Sequence, residues 1–217
     1  MNNIVRFSFF AFLFLVSCDV NINKDFVIPD NTTVENDLIS VNGNINIGEN
    51  CIVEANLSTV NGNIEIKKFT RIESSIQTVN GNISIIEKVK VDGDITSLTG
   101  LIEINNSTVV GNVSNISGDI EVNKIELDGD LISNFGKITI ENNSEINGSV
   151  VIKANDEIPE KLRNVKIIIS DSSVIQGDLV NDNRDVIVSV FIEEGSSIYG
   201  EIIDADLVDQ IEDLDYK

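Results

Sequence analysis

The chain has 217 residues and a formal net charge of −21 at pH 7, from 15 Lys and Arg residues against 36 Asp and Glu residues. This charge argues against binding to nucleic acid or electrostatic docking on anionic lipid, both of which need a basic surface. Histidine is absent, which excludes Ser-His-Asp catalysis, a histidine general base and a His-based zinc site. A hydrophobic fraction of 41% is too high for a disordered acidic chain, so we expect a folded protein.

The segment at residues 1–17 has the features of a secretory signal peptide. Arg6 is the only charged residue before position 19, and residues 7–16 are almost entirely apolar. A helix that spans a bilayer needs about 20 apolar residues, so this segment is too short to span. A positive charge before a short apolar run is typical of an export signal. A buried helix or strand is the alternative, but nothing later in the chain resembles this segment.

The residues that end the apolar run, Leu15-Val16-Ser17-Cys18, resemble the lipobox of bacterial lipoproteins. The resemblance implies cleavage between Ser17 and Cys18, a diacylglyceryl thioether on Cys18 and acylation of the new amino terminus. Two or more acyl chains anchor a protein stably where one does not. Asp19 resembles the signal that retains lipoproteins in the inner membrane of enteric bacteria. We expect residues 18–36 to be a lipidated N-terminus that serves as a tether or cap.

Cys51 is the only other cysteine, so it has no partner within the chain once Cys18 carries lipid. A lone thiol in an exported protein is either buried as a small hydrophobe or used in an intermolecular disulfide. The apolar neighbours Ile52 and Val53 favour burial.

An internal repeat runs through most of the chain. Val-Asn-Gly-Asn-Ile occurs at residues 41–45, 60–64 and 79–83, and two series of glycines share its period. The first series is Gly43, Gly62, Gly81, Gly100, Gly118 and Gly136. The second series is Gly93, Gly111, Gly129 and Gly148, followed at wider intervals by Gly177 and Gly200. We expect these glycines to mark sharp corners with a positive φ, and the flanking asparagines to hydrogen-bond to their copies one repeat away.

Apolar residues keep the same register. The second and fourth positions after each glycine of the first series are Ile or Val, with a polar or charged residue between them, as in Ile45-Asn46-Ile47. Such alternation is typical of a half-buried strand, and two further apolar columns predict three short strands in each repeat. One repeat cannot bury its own inner face, so the repeats must stack.

The predicted fold is therefore an all-β, single-domain parallel β-helix, or β-solenoid, over residues 37–205. We call one turn of the solenoid a rung, and this range has room for about eight rungs of about 18–19 residues. A two-sheet sandwich is the alternative, although it would not need such strict spacing.

Two intervals between glycines exceed the repeat. The interval from Gly148 to Gly177 is longer than one rung by about ten residues, and this surplus predicts a loop at residues 155–164. The interval from Gly177 to Gly200 is longer by about five residues, which predicts a smaller bulge at residues 181–185. We interpret both as tolerated insertions, although loops on a solenoid often carry binding.

The ends of a solenoid expose sheet edges that need protection. Leu207, Val208, Ile211 and Leu214 recur at helical spacing and predict a short amphipathic helix over residues 206–217 that caps the C-terminal end. Residues 26–40 are candidates to close the other end.

Two later segments resemble the rungs of bactofilins, which are polymer-forming bacterial proteins. They are Ser-Val-Ile-Gln-Gly-Asp-Leu at residues 173–179 and Glu-Gly-Ser-Ser-Ile-Tyr-Gly-Glu-Ile at residues 194–202. The resemblance implies a β-solenoid and, for bactofilins themselves, cytoplasmic filaments built by end-to-end stacking. The export signal, the lipid anchor and the C-terminal cap of this chain argue against filaments.

The sequence predicts no catalytic, cofactor or metal site. Asp92, Asp94, Asp128 and Asp130 flank glycines of one column, but two rungs separate the pairs by about 9–10 Å, too far for one Ca²⁺. Lys and Arg residues are scattered along the chain and do not indicate a polysaccharide lyase. The Asn-Gly-Asn motifs predict a flat polar column, which suits either contact with glycans or, more often, a structural role.

These features predict a non-catalytic, lipid-anchored protein of the bacterial cell envelope with a structural, scaffolding or interaction role. The alternative is an adhesin or glycan-binding module, and a polysaccharide-acting enzyme is the least favoured class. The expected partners are a membrane, through the acyl chains on Cys18, and an envelope protein or a glycan; self-association is left open. We expect the protein to face the periplasm or the cell surface, and Asp19 favours the inner membrane.

Overall fold

A computed structural model describes residues 19–154 and 164–215 of the chain. The predicted signal segment at residues 1–17, Cys18 and nearly all of the insertion predicted at residues 155–164 therefore lie outside the described residues. The described chain forms three parallel sheets, of ten, ten and nine strands, around one hydrophobic core. This is the β-solenoid that the repeat predicts. The two-sheet sandwich is wrong, because each full rung contributes a strand to three sheets.

The strands are numbered in chain order and enter sheets A, B and C in turn. Sheet A contains β1 (Asp19–Asn21), β4 (Leu38–Ser40), β7 (Leu57–Asn61), β10 (Ile76–Asn80), β13 (Ile95–Thr99), β16 (Val113–Ser117), β19 (Leu131–Ser133), β22 (Val150–Ile152), β25 (Leu179–Asn181) and β28 (Ile202–Ile203). Sheet B contains β2 (Phe26–Ile28), β5 (Ile45–Ile47), β8 (Ile64–Ile66), β11 (Ile83–Ile86), β14 (Ile102–Asn105), β17 (Ile120–Asn123), β20 (Lys137–Glu141), β23 (Asn164–Ile169), β26 (Ile187–Ile192) and β29 (Asp206–Val208). Sheet C contains β3 (Thr33–Val34), β6 (Ile52–Val53), β9 (Arg71–Ile72), β12 (Lys90–Val91), β15 (Thr108–Val109), β18 (Glu126–Leu127), β21 (Glu145–Ile146), β24 (Val174–Ile175) and β27 (Ser197–Ile198).

Equivalent aliphatic residues stack on one another from rung to rung. In sheet B, Ile64 pairs in register with Ile45 on one side and with Ile83 on the other, and all three are fully buried. Sheets A and C have matching buried columns, which include Leu57, Ile76, Ile95, Val53, Ile72 and Val91. β-branched side chains suit these positions because they pack well on a pleated surface. The stacked columns form the continuous core that one repeat cannot provide.

The solenoid begins earlier than the sequence predicts. Residues 37–205 hold eight full rungs, from β4 to β27, as expected, but residues 19–34 already form a rung of three strands. The tether predicted at residues 18–36 is therefore wrong for the described part of that range. The repeat is hard to see there because Lys24 stands where the next rung has Gly43.

The amphipathic helix predicted over residues 206–217 is wrong at its start. Asp206–Val208 instead form β29, which pairs with β26. An open sheet edge offers backbone hydrogen bonds, whereas a short isolated helix is marginal in water. Ile211–Asp215 then form a 3₁₀ helix that packs on β26 and β29, and its Leu214 is buried. No helix in the described part of the chain is long and apolar enough to cross a bilayer.

The smaller insertion lies where the spacing predicts it, between β25 and β26. The Nδ2 of Asn181 donates to the carbonyl oxygens of Val186 at 3.0 Å and Asp204 at 2.9 Å. Asn181 and Asn183 are both buried. The bulge is thus closed by hydrogen bonds to the rod.

The corner glycines are needed mainly for close packing between rungs. A Cβ on Gly81 would lie closer than 3.0 Å to the carbonyl oxygen of Gly62, and the same close approach recurs along both series. Within the two series, positive φ occurs only at Gly100 and Gly136, so the predicted reason is wrong for the other members. Positive φ is frequent instead at the corner between sheets B and C. Most of the residues with positive φ at that corner are not glycine, and Asn50 is one example.

Ile83→Ala should lower the free energy of unfolding by about 2–5 kcal/mol, because it opens a cavity in a fully buried column. The control is Ser84→Ala, at the next residue of β11, whose side chain points out of the solenoid; its effect should stay within about 0.5 kcal/mol. Urea unfolding followed by circular dichroism measures both. Equal effects of the two substitutions would contradict the assigned inner and outer faces.

Gly81→Ala should lower the free energy of unfolding by about 1–3 kcal/mol, because the added methyl group must displace the backbone of Gly62 on the neighbouring rung. The φ of Gly81 is not left-handed, so the substitution tests the stacking of corners and not backbone strain. Thermal unfolding beside the wild type measures the loss. A variant as stable as the wild type would show that adjacent corners have room for a methyl group.

Candidate functional surfaces

The Asn-Gly-Asn motifs form two hydrogen-bonded ladders along the corner between sheets A and B. The Nδ2 of Asn61 donates to Oδ1 of Asn42 at 2.9 Å, and the Nδ2 of Asn80 donates to Oδ1 of Asn61 at 3.0 Å. On the other side of the glycines, Oδ1 of Asn63 accepts the backbone N–H of Asn82 at 2.9 Å. The predicted hydrogen bonds between copies are confirmed, and these amides use part of their hydrogen-bonding capacity on one another.

A buried polar column lies beneath the same corner, and the sequence analysis missed it. The Oγ1 of Thr59 donates to the carbonyl oxygen of Gly43 at 3.1 Å, and that of Thr78 donates to the carbonyl oxygen of Gly62 at 3.2 Å. These bonds satisfy carbonyl groups at a corner, where buried backbone groups need partners. The signal was present in the sequence, since Ser or Thr recurs three positions before each of the first four glycines of the series.

The aspartates at the corner between sheets C and A have structural partners. Oδ1 of Asp94 accepts the backbone N–H of Asn112 at 2.8 Å, and Oδ1 of Asp130 accepts that of Ser149 at 2.8 Å. Asn112 continues the same ladder, because its Oδ1 accepts the backbone N–H of Asp130 at 2.8 Å. These carboxylates tie successive rungs together. Among the residues that the structure describes, no group of three or more side chains could hold a metal ion.

The outer face of sheet A carries an apolar strip, which consists of Val60, Val79, Leu98 and Ile116. These side chains are partly exposed and occupy the same position in four successive rungs, two positions before a glycine. They line a shallow groove together with the polar side chains of Ser58, Gln77 and Thr96. A contiguous apolar patch on a protein surface often marks an interaction site. The strip is a candidate contact surface. The repeat in the sequence shows that these positions are apolar, but only the structure shows that their side chains point outward.

Several basic residues come together on sheet C and the corner before it. Lys90 pairs in register with Arg71, so the expectation that the basic residues are scattered is wrong here. The Nζ atoms of Lys68 and Lys88 lie 5.9 Å and 5.3 Å from the centre of the Phe69 ring. Phe69 is exposed and has a φ of 61°, which is uncommon for a bulky residue. We call this group the basic patch; it consists of Lys68, Arg71, Lys88 and Lys90, together with the Phe69 ring.

Acidic side chains pair with much of the basic patch. Asp92 accepts from the Nζ of Lys90 at 2.7 Å and from Nη2 of Arg71 at 2.8 Å, and the Nε of Arg71 lies 3.0 Å from Glu73. The hydrogen bond from Lys90, helped by the charge of Arg71, holds the pKa of Asp92 below its ordinary value. The Nζ of Lys68 lies 3.6 Å from Glu49. Because of this pairing, the patch offers little net positive charge to a ligand.

Cys51 is buried, and its Sγ lies 3.3 Å from the carbonyl oxygen of Pro29. The interpretation of this thiol as a small buried hydrophobe is confirmed. Ser17 and Cys18, the predicted cleavage and lipidation residues, precede the first described residue, Asp19, where β1 already begins.

No protein-family model, curated protein or solved structure matches this chain. A proposal about its function therefore depends on the lipobox, the solenoid and the surfaces described above.

Asp92→Asn should lower the free energy of unfolding near pH 7 by about 1 kcal/mol or less, because the ion pairs it breaks are partly exposed. A carboxyl group with a lowered pKa stabilises the folded state above its unfolded pKa, and this contribution is lost as the pH falls through the folded pKa. Wild type and variant should therefore converge in acid. Urea unfolding as a function of pH measures the difference, and a gap that persists in strong acid would contradict the role of the Asp92 charge.

Proposed function

We propose that the chain is a lipid-anchored protein of the bacterial cell envelope with a structural or scaffolding role. The observation that carries the proposal is the lipobox-like sequence Leu15-Val16-Ser17-Cys18, which ends directly before the first strand of the β-solenoid. Acylation of Cys18 would hold the mature protein on a membrane without a spanning helix. The rod would then project from its anchored first residue.

The character of the rod supports a scaffold over an enzyme. Its three faces are regular sheets, and the polar side chains of its corners hydrogen-bond to neighbouring rungs. Nine full rungs at about 4.8 Å per rung give a rod roughly 40 Å long. The apolar strip on sheet A gives this rod a surface that an envelope protein or a second copy can contact. The full chain has 36 Asp and Glu residues against 15 Lys and Arg residues, and this excess of acid favours solubility of the projecting body.

An adhesin or glycan-binding module is the second candidate of the sequence analysis. Its proposed contact surface was the Asn-Gly-Asn column. In that column the side-chain amides of Asn42, Asn61 and Asn80 bond to one another, and those of Asn44 and Asn63 accept backbone N–H groups. These bonds favour the structural role of the column, so we keep the scaffold as the proposal.

The location that we propose is the periplasmic or outer side of the cell envelope. Asp19, directly after the lipidated residue, supports retention in the inner membrane by its resemblance to the enteric signal. The resemblance of residues 173–179 and 194–202 to bactofilin rungs concerns the solenoid. The proposed export and anchoring separate this chain from cytoplasmic filaments.

Cys18→Ser should block maturation, so that the chain accumulates as a precursor that still carries residues 1–17. The matched control is Ser17→Ala, which keeps a small residue before the cleavage point and should mature normally. Immunoblotting and intact-mass measurement distinguish the two forms, and globomycin, which blocks the lipoprotein signal peptidase, should reproduce the effect of Cys18→Ser on the wild type. Normal processing of Cys18→Ser would overturn the lipoprotein proposal.

A further inference from the structure

The N-terminal end of the solenoid has no cap among the described residues. Strands β1, β2 and β3 each pair on one side only, with β4, β5 and β6. The other edge of each strand faces the end of the rod. Open sheet edges of this kind pair readily with other chains unless something protects them. At the opposite end, the 3₁₀ helix and its buried Leu214 cover part of the rod.

Three apolar side chains of this first rung are among the more exposed in the described structure. Val20, Ile22 and Val27 have exposed fractions of 53%, 67% and 70%. Val20 lies on the outer face of sheet A, where it pairs with Ile39, and Val27 lies on the outer face of sheet B. They therefore flank one corner of the rod, the corner between sheets A and B.

Residues 19–36 contain four acidic residues, Asp19, Asp25, Asp30 and Glu35, against one basic residue. Lys24 is the only basic residue in residues 19–36, and it is exposed at the corner that Val20, Ile22 and Val27 flank. Its neighbour Asp25 uses Oδ1 to accept the backbone N–H of Asn44 at 2.7 Å. A lysine among exposed apolar side chains is suited to an interface, because its alkyl stem packs on apolar surface while its ammonium stays in water or near a headgroup.

The length of chain between the proposed anchor and the fold decides what lies against this end. Cys18 is followed directly by Asp19, the first residue of β1, so a single peptide bond connects them. One extended residue spans at most about 3.3–3.6 Å, whereas a free tether over the whole of residues 19–36 would reach roughly 60 Å. Acyl chains on Cys18 therefore bring the first rung to the headgroup region itself.

We infer that the N-terminal end of the solenoid is seated directly on the bilayer, with Val20, Ile22 and Val27 in the interfacial region and the rod projecting from it. The inference rests on the proposed lipidation of Cys18 and adds a second, protein-borne contact to the acyl anchor. The membrane then covers the open edges of β1, β2 and β3, which protects them from pairing with another chain. The C-terminal cap lies roughly 40 Å away from the bilayer surface along the rod.

The absence of tryptophan from the chain allows a direct test. Ile22→Trp and Val27→Trp each place one tryptophan on the seated rung, and Tyr199→Trp places one at an exposed position near the far end. The full-length variants are expressed so that they are processed and acylated, and are reconstituted in phosphatidylcholine–phosphatidylglycerol vesicles. Intact mass verifies the acyl chains, flotation verifies vesicle binding, and quenching by lipids with brominated acyl chains reports contact with the bilayer.

The inference predicts that Ile22→Trp and Val27→Trp emit at shorter wavelength in vesicles and are quenched, whereas Tyr199→Trp keeps the emission of a tryptophan in water. Acylated, vesicle-bound protein with no quenching at position 22 or 27 would overturn the inference and leave the lipid anchor standing. Protein without acyl chains that does not float would overturn the proposed function and the inference with it. A shift of Ile22→Trp emission that grows with concentration in a chain expressed without residues 1–18, without vesicles, would show that a second copy covers this end and would also overturn the inference.

Discussion

Constant strand register between successive turns is the constraint on which the structure depends. Each rung hydrogen-bonds to the rungs before and after it in three parallel sheets, so a shift by a single residue within a strand would turn its aliphatic side chains outward. Because the register is kept, Ile45, Ile64 and Ile83 stack, and the same holds for the columns of the other two sheets. The core is therefore a set of one-dimensional columns in which every rung depends on its neighbours.

The three corners meet this constraint in different ways. The glycine series allow backbones to approach more closely than a Cβ permits, while Asn and Asp side chains join neighbouring corners by hydrogen bonds. The extra residues of both long intervals lie at the corner between sheets A and B, between β22 and β23 and between β25 and β26, after Gly136 ends the first glycine series. The strands therefore keep one register, while the length of chain at the corner between sheets A and B varies from rung to rung.

The period and the alternation of apolar residues were sufficient to predict the solenoid, its three strands per rung and its buried columns. They failed where the local pattern is weak. The first rung has Lys24 at the position of the glycine, so the repeat was not recognised there. The spacing of Leu207 and Ile211 predicted a helix, whereas Asp206–Val208 form a strand that pairs with β26. Some contacts join residues on different rungs. Examples are the close approach of Gly81 to Gly62 and the pairing of Arg71 with Lys90. A single sequence does not display such contacts until the register is known. The candidate surfaces follow from the same register, since the apolar strip and the basic patch exist only after stacking.

Disulfide trapping across rungs tests the stacking most directly. In a chain expressed without residues 1–18 and with Cys51 replaced by Ser, the pair Glu65→Cys and Ser84→Cys should cross-link on mild oxidation, because these outward residues are register partners in β8 and β11. The pair Glu65→Cys and Glu103→Cys, two rungs apart at about 9–10 Å, should not. Efficient cross-linking of the second pair, or none of the first, would contradict the assigned register and with it the account of the core, the corners and the surfaces.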